Sequence, residues 1–376
     1  MKSQVKILFV ITQGFWGGAQ KYITDLAGNL GPNYELAVAL GNDESKDFEK
    51  KLKATNPNIA IYPLKHLKRE ISPLHDILAI AEIRQLYKKL GPNIIHLNSS
   101  KAGILGSLAK IPKSKIIYTA HGWVFLEPLS PIRKTLYRFL EKYTACYKDA
   151  IIVLSDEDRR VAKLELHIED SKLHTIPLGI SEILFLDKNE ARRQIAEKNP
   201  HIDTNKLWSL SIANYYPTKG LDILVEAVST LSPEEQSKFQ FCIIGDGPER
   251  TRLQTDINLN HLENTIFLLP FIEKAAALLK AADLFILPSR KEGLPYAILE
   301  ALQADLPLIA TKVGGIPSIL QNTPETALIA PEAPRELTSA IQKFLLTNRV
   351  EKKREYSMNT LSAMIEETTA LYQMYS

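Results

Sequence analysis

The chain has 376 residues, 45% hydrophobic and 24% charged, with a formal net charge of +3. That length exceeds what one core usually holds, roughly 100–200 residues, so two domains are expected. No apolar run reaches the ~18 residues of a membrane-spanning helix, and two cysteines, Cys146 and Cys242, exclude a disulfide framework and a zinc-ligand set.

The N-terminus runs from a short polar stretch into Ile7–Ile11, which is too short for a secretory core and reads as a first buried strand. A cytoplasmic protein is expected. Charge is uneven: residues 1–180 hold 26 Lys and Arg against 18 Asp and Glu, while residues 181–376 hold 20 against 25. A basic first half suits an anionic partner, either a phosphate-bearing substrate or an acidic membrane surface, or it is simply an unevenly charged surface.

In chain order, strands are expected at Lys6–Ile11, Tyr34–Leu40, Ile59–Pro63, Ile94–Leu97, Lys115–Ala120 and Ala150–Leu154. Helical patterns lie between them, at Gly18–Leu30, Lys46–Thr55, Leu74–Leu90, Ala102–Ala109 and Pro131–Lys148. This alternation predicts a parallel, doubly wound α/β sheet, whose ligands bind at the carboxyl ends of strands.

Three strand-end loops follow from that. Thr12–Gln20 contains Gly14, Gly17 and Gly18, which either permit close backbone approach to a ligand or simply serve a tight strand-helix turn, and the spacing is not the dinucleotide G-x-G-x-x-G. His96-Leu-Asn-Ser-Ser100 is the second loop, and Ala120-His121-Gly122-Trp123 the third. His121 follows a strand and precedes a glycine, which suits a cleft position, although a lone histidine, His96 included, is more often a satisfied core or surface residue than a catalytic one. The helix at Pro131–Lys148 carries an apolar stripe, Ile132, Leu136, Phe139, Leu140 and Tyr143, among Arg133, Lys134, Arg138, Lys142 and Lys148. It fits a core-facing helix with a basic outer face better than a helix lying on an anionic bilayer.

Near Ile176–Ile180 the chain becomes polar, so a boundary falls at about 180, with domains at 1–180 and 181–354. The alternation then restarts, with strands at Trp208–Ala213, Phe239–Gly245, Thr265–Leu269, Asp283–Leu287, Pro307–Thr311 and Ala327–Ile329. Helices are expected at Gly220–Leu231, Pro248–Asn258, Lys274–Ala281, Tyr296–Gln303 and Arg335–Leu346. Two such domains facing across a hinge would make a cleft for a ligand.

The second half holds the densest chemistry. Lys219 precedes a helix and suits a diphosphate, or else is a solvated lysine. Ile243–Arg250 contains G-x-G but has Arg250 where a third glycine belongs, so it reads as a turn with Pro248 opening the next helix. Ser289–Glu300 runs from a buried strand through Glu292, Gly293 and Leu294 into a helix for which Pro295 suits the first position. Such a loop offers backbone amides and the positive helix end to an anion, with Glu292 and Glu300 as flanking carboxylates.

These segments together resemble the retaining glycosyltransferases of family 4, which have the GT-B fold. The resemblance runs through Gly17-Gly18-Ala19-Gln20, Ala120-His121-Gly122, Ile152–Glu157, Ile176–Ile180, Lys219-Gly220 and Gly245–Glu249. It culminates in Glu292 and Glu300, separated by seven residues, and Ala310–Pro317.

It implies two Rossmann-like domains across a cleft, the first for the acceptor and the second for a nucleotide-diphosphate sugar. A C-terminal helix from about 355 to 376 would return to the first domain, with Tyr356, Met364, Leu371 and Tyr372 packing there. It implies transfer of a sugar with its anomeric configuration kept, without metal or other cofactor. Gly17 and Gly18 would lie against the donor diphosphate, as would Lys219 and the amides of Gly293 and Leu294. Glu300 would hold the ribose, Glu292 the donor sugar, Phe271 and Ile272 the base, and His121 would reach the reaction centre. The implied partners are a nucleotide-sugar and a glycan or lipid-linked acceptor of cell-surface assembly, with peripheral contact at an anionic inner membrane face and no nucleic acid.

The chain departs from the family where an arginine usually stands five residues before the lysine. Asn214 occupies that place and can hydrogen-bond but brings no charge, so Lys219 would have to act with backbone amides or with another residue such as Arg290 or Lys291. Ala304-Asp305 and Ser318 also replace commoner residues. An epimerase on the same fold, or a donor-binding subunit impaired by Asn214, are the alternative readings.

Overall fold

A computed structural model describes residues 4–41, 46–321, 323–346 and 358–376. Contacts divide the chain into Met1–Gly179 with Asn359–Ser376, and Ile180–Met358. The boundary expected at 354, the expected helix start near 355 and Tyr356 lie outside the described residues.

The first unit begins with β1 (Val5–Ile11), α1 (Gly18–Asn29), β2 (Tyr34–Gly41), α2 (Asp47–Thr55) and β3 (Ala60–Leu64). It continues with α3 (Pro73–Leu90), β4 (Ile94–Leu97), α4 (Ser100–Leu108), β5 (Lys115–Ala120) and α5 (Pro131–Thr144). Next come β6 (Ala150–Val153), α6 (Asp156–Leu164) and β7 (Leu173–Thr175). All seven strands are parallel, in the order β3-β2-β1-β4-β5-β6-β7. Ile7–Ile11 and Ala150–Val153 are continuous apolar runs and, like Ile94–Leu97 with its one histidine, are buried throughout because helices cover both faces. Pro63 sits inside β3, which its position at the sheet edge permits.

The second unit holds α7 (Lys188–Ala196), β8 (Leu207–Ile212), α8 (Leu221–Ser229), α9 (Pro233–Lys238), β9 (Phe239–Ile244) and α10 (Arg250–Leu259). It proceeds through β10 (Ile266–Leu269), β11 (Leu284–Leu287), α11 (Tyr296–Gln303) and β12 (Leu308–Thr311). It ends with α12 (Ile316–Leu320), β13 (Thr326–Ile329) and α13 (Pro334–Leu346). Its six strands are parallel in the order β10-β9-β8-β11-β12-β13.

Both sheets reverse strand order once, between β1 and β4 in the first and between β8 and β11 in the second. Loops leaving such a pair diverge to opposite faces, which opens a crevice at the strands' carboxyl ends. The loops after β1, β4, β8 and β11 therefore stand where ligands of this architecture bind.

The final helix, α14 (Leu361–Tyr375), packs within the first unit. Tyr372 Oη lies 2.6 Å from His96 Nδ1, Tyr375 donates to the Asp149 carbonyl at 3.1 Å, and Met364, Leu371 and Tyr372 are buried.

Three expectations need correction. Helix α5 does not turn its apolar stripe inward. Ile132, Leu136, Phe139 and Tyr143 are exposed, whereas Glu141 and Thr144 are buried and Tyr137 and Leu140 pack on the core. The buried Glu141 sets that rotation, since it accepts from Lys148 Nζ at 3.1 Å and the Tyr118 hydroxyl at 3.2 Å, and an interior carboxylate needs such partners. Pro248 does not open α10, which begins at Arg250 with Glu249 as its cap. Residues Ala275–Ala281 form a 3-10 turn rather than an α-helix.

Candidate active site

In the second unit, β8 delivers Asn214 and Lys219, and β11 delivers Ser289–Leu294. The chain leaves β8 through a 3-10 turn at Pro217–Lys219 that Gly220 ends in the left-handed conformation (φ +61°). A Cβ on Gly220 would fall 2.1 Å from the Pro288 carbonyl oxygen, so only glycine lets the two loops meet there. Arg290 fastens them further. Its amide donates to the Thr218 carbonyl at 2.8 Å, and its guanidinium to the Pro217 carbonyl at 2.8 Å and to both Asp222 carboxylate oxygens at 2.6 and 2.8 Å. Glu332 holds the same guanidinium from the other side. The hydrogen bonds that Arg290 donates to Asp222 and Glu332 push its pKa up. Burial alone would raise Asp222, but its bond to Arg290 holds that carboxyl below the usual range.

That clasp positions Lys219 against Glu292, with Nζ 2.7 Å from Oε1. Ser289 Oγ donates to the same oxygen at 2.7 Å. The Glu292 side chain is 9% exposed and the Lys219 side chain 25%, so the carboxylate is the sheltered member and the ammonium keeps access to solvent. Behind them, Gly314 (φ +54°) places a turn so close that a Cβ would lie 2.2 Å from the Glu292 carbonyl oxygen. Gly315 donates to the Gly293 carbonyl at 2.6 Å. The 312–315 turn thus backs the loop that carries Glu292, Gly293 and Leu294.

Helix α11 starts at Tyr296, with Pro295 as its extended cap (φ −77°, ψ 127°) rather than its first helical residue. The reason is visible in ψ, since a proline still in extended geometry cannot be the first turn's helical residue. Glu300 lies at mid-helix, half-buried. Asn214 is half-buried, Phe271 is 48% exposed after β10, and Ile272 packs on the core. Arg290, considered from sequence as a replacement cation for the place held by Asn214, is already bound to two carboxylates. Lys219 is ion-paired with Glu292.

In the first unit, Gly17 caps α1 in extended geometry and Gly18 is the helix's first residue. Gln20 Nε2 donates to the Gln13 carbonyl at 2.8 Å, and Thr12 Oγ1 lies 2.7 Å from Ser99 Oγ, which joins the loops after β1 and β4. His121 follows β5, half-buried, with the Tyr22 ring edge-on at 5.1 Å between centroids.

His96 is a different kind of residue. It is fully buried, with Nδ1 against the Tyr372 hydroxyl at 2.6 Å and Nε2 against the Thr119 hydroxyl at 2.7 Å. Two hydroxyls satisfy a neutral imidazole, and burial first, then the nearby His121, bring its pKa down to about 3. It is a core histidine. Tyr22, Thr119 and Tyr372, which support this cluster, carry no local sequence signature. The role of Ser289 was also not visible, although it sits in the loop singled out.

Among the described residues, no three or more His, Cys, Asp or Glu side chains are grouped so as to hold a metal ion, and no helix is long and apolar enough to cross a membrane.

The chain is similar to known proteins in both sequence and fold. The model "Glycosyltransferase Family 4" matches residues 16–182, and "Glycosyl transferases group 1" matches 192–361. A protein of Escherichia coli named UDP-Gal:alpha-D-GlcNAc-diphosphoundecaprenol alpha-1,3-galactosyltransferase is 29% identical over 335 residues, covering 85% of this chain and 82% of that one. The crystal structure of Anabaena HepE with UDP and glucose superposes with a TM-score of 0.72 at 20% identity, covering 98% and 95% of the two chains. Sucrose-phosphate synthase of Thermosynechococcus elongatus gives 0.73 at 18% identity, with 99% and 96% covered. With one family match on each domain and a like fold end to end, the chain is a glycosyltransferase of the GT-B fold.

Proposed function

We propose that the chain is a retaining, metal-independent transferase of family 4 that moves a sugar from a uridine diphosphate sugar to a lipid-linked glycan intermediate. The observation that carries the reading is the Lys219–Glu292–Ser289 cluster at the strand-order reversal of the second sheet. A partly exposed ammonium there meets the negative charge that grows on a departing diphosphate, the kind of electrostatic stabilisation on which such a reaction draws most. Glu292, Gly293, Leu294 and Glu300 are assigned to the donor sugar, diphosphate and ribose, Asn214 to a neutral hydrogen bond beside the diphosphate, and Phe271 with Ile272 to the base. In the first unit, Gly17 and Gly18 are assigned amides for an anion, and His121 the reacting sugar.

In the proposed step the donor's C1–O bond to phosphate breaks as the acceptor hydroxyl bonds to C1 on the same face. The acceptor's proton passes to the departing phosphate oxygen, leaving uridine diphosphate and a glycoside of unchanged anomeric configuration. Lys219 holds the leaving charge, and Glu292, fixed in place by its two donors, orients the sugar hydroxyls.

The donor class is supported by the E. coli relative's name and the UDP and glucose in the Anabaena structure. That relative's name also specifies a diphosphoundecaprenol acceptor, and the surplus of cations in residues 1–180 suits a diphosphate-bearing lipid. Incubation with labelled UDP-sugars and a polyprenyl-diphosphate sugar tests this. Glycosylated lipid plus free UDP supports it, whereas an epimerised donor, or binding without turnover, contradicts it.

A further inference from the structure

His96 takes no part in the proposed step, yet the side chains around it end at His121, which does. Tyr22, His96, Thr119, Thr368 and Tyr372 are all fully buried. Inside a core each polar group needs a partner from the protein, so the single hydrogen on each hydroxyl can be followed.

The Thr119 hydroxyl donates to the Tyr22 hydroxyl at 3.4 Å, so toward His96 Nε2, 2.7 Å away, it can only accept. His96 is neutral, so a proton on Nε2 leaves Nδ1 as an acceptor, and Tyr372 Oη donates to it at 2.6 Å. Thr368 directs its hydrogen to the Met364 carbonyl at 2.8 Å, which leaves its oxygen to receive the neighbouring Tyr22 hydroxyl. The donors Tyr372, His96, Thr119 and Tyr22 therefore all point the same way, and both ends of the chain lie on α14. Such a chain fixes the orientation of each member, because turning one hydroxyl leaves buried groups on either side unsatisfied.

Tyr22 carries that order to His121. Its hydroxyl end is held by β5 and α14, and its ring stands edge-on to the His121 imidazole, with centroids 5.1 Å apart and planes at 75°. On the backbone side, Gly122 leaves β5 at φ +90°, and the buried Trp123 donates its indole N–H to the Asp158 carbonyl at 3.0 Å. The end of β5 thus sets the His121 main chain, and Tyr22 sets its ring. We propose that Tyr22 is a positioning residue for His121, and that α14 holds Tyr22 in place through the Tyr372–His96–Thr119 chain. The inference rests on the assignment of His121 to the reacting sugar. Helix α14 then serves the reaction as well as the packing of the first unit.

Thr119→Val breaks the chain at its middle with nearly the same side-chain volume, Tyr372→Phe breaks it at its start, and Thr119→Ser restores the hydroxyl. On the full chain, each of the first two should lower kcat roughly 10-fold or more with KM for the UDP-sugar within about twofold, because a misplaced imidazole disturbs the reacting geometry and not donor binding. Thr119→Ser should stay within about twofold of wild type in both. The second readout is the NMR spectrum of histidine-labelled protein, with His121 assigned through His121→Asn. Wild-type His96 should carry its proton on Nε2. The His121 resonance should move in Thr119→Val and Tyr372→Phe, as the ring current of Tyr22 shifts, and return to its place in Thr119→Ser. A proton on His96 Nδ1, an unmoved His121 resonance in both chain-breaking variants, or a folded Tyr372→Phe with wild-type kcat would overturn the proposal. A cluster that only stabilised the core would lower the melting temperature of Thr119→Val and leave the His121 resonance and kcat per folded molecule unchanged. The spectra need neither donor nor acceptor, so a chain that transfers no sugar would sink the transfer reading while they still decide whether α14 orders His121.

Discussion

Replacing Lys219 by methionine keeps the aliphatic stem and deletes the ammonium. Two effects follow from the geometry, and they have different sizes. Glu292, 9% exposed, loses its 2.7 Å partner and keeps only Ser289. Leaving a sheltered carboxylate half-satisfied costs about 1–3 kcal/mol of stability. For a domain of this size that is a fall in melting temperature of roughly 2–4 °C per kcal/mol. The second effect is on the reaction, where losing a preorganised donor to developing charge costs about 2.7–4 kcal/mol, or 10²–10³ in turnover.

The companion change Glu292→Gln separates them. A neutral amide beside the introduced thioether removes the stranded charge, so Lys219→Met with Glu292→Gln should regain most of the lost melting temperature while turnover stays at least ~10²-fold down. Differential scanning fluorimetry reads the first quantity, and coupled detection of released UDP the second. If Lys219→Met turned over within about threefold of wild type, the assignment of Lys219 to the leaving diphosphate would be wrong.

Other outcomes follow from single contacts. Arg290→Lys should lower turnover by roughly 10-fold or more, because a point cation cannot reproduce the bidentate bond to Asp222 and the bonds to Pro217 and Glu332 that hold the Lys219 turn. Steady-state kinetics with the UDP-sugar checks it. The buried, neutral His96 makes stability pH-dependent with a definite sign. Its folded pKa of about 3 lies below the unfolded value of 6.5, so its contribution is fully present above pH 6.5 and is lost as pH falls toward 3. The slope it adds is at most about 1.4 kcal/mol per pH unit, and denaturant melts of His96→Asn should show a correspondingly shallower fall between pH 6.5 and 4. Excess chelator should leave turnover within about twofold, whereas reliance on a Lewis-acid metal would abolish it.

The fold was legible because parallel strands buried on both faces are continuous apolar runs, as at Ile7–Ile11 and Leu284–Leu287, and punctuation by Gly and Pro marks their ends. Helix α9 was missed although Ser232 and Glu235 form a capping box there. Six residues were too few to show periodicity. Helix α6 was missed for a related reason, since its nine residues are mostly charged and only Ser155 with the acidic first turn announces it. The outward stripe of α5 was misjudged because periodicity identifies a face but not its direction. The direction came from Glu141, whose partners Lys148 and Tyr118 are a long-range fact.

Of the site, the loops were readable and the bonds across them were not. Asn214, Lys219, Glu292 and Gly293 were singled out as positions, but that Ser289 and Lys219 share one oxygen of Glu292 depends on two loops separated by some seventy residues. The same holds for Arg290, which looks like a spare phosphate ligand in sequence and is a structural clasp in the fold. Charge type is local information, and partnership is not.

The central claim is that a sugar is transferred from a nucleotide donor with its anomeric configuration kept. Proton NMR of the glycosylated product, made from an α-configured UDP-sugar and a polyprenyl-diphosphate sugar, measures it most directly. The account predicts an α-linked product and one UDP per bond formed. A β-linked product, or UDP released with only free or epimerised sugar, would contradict it.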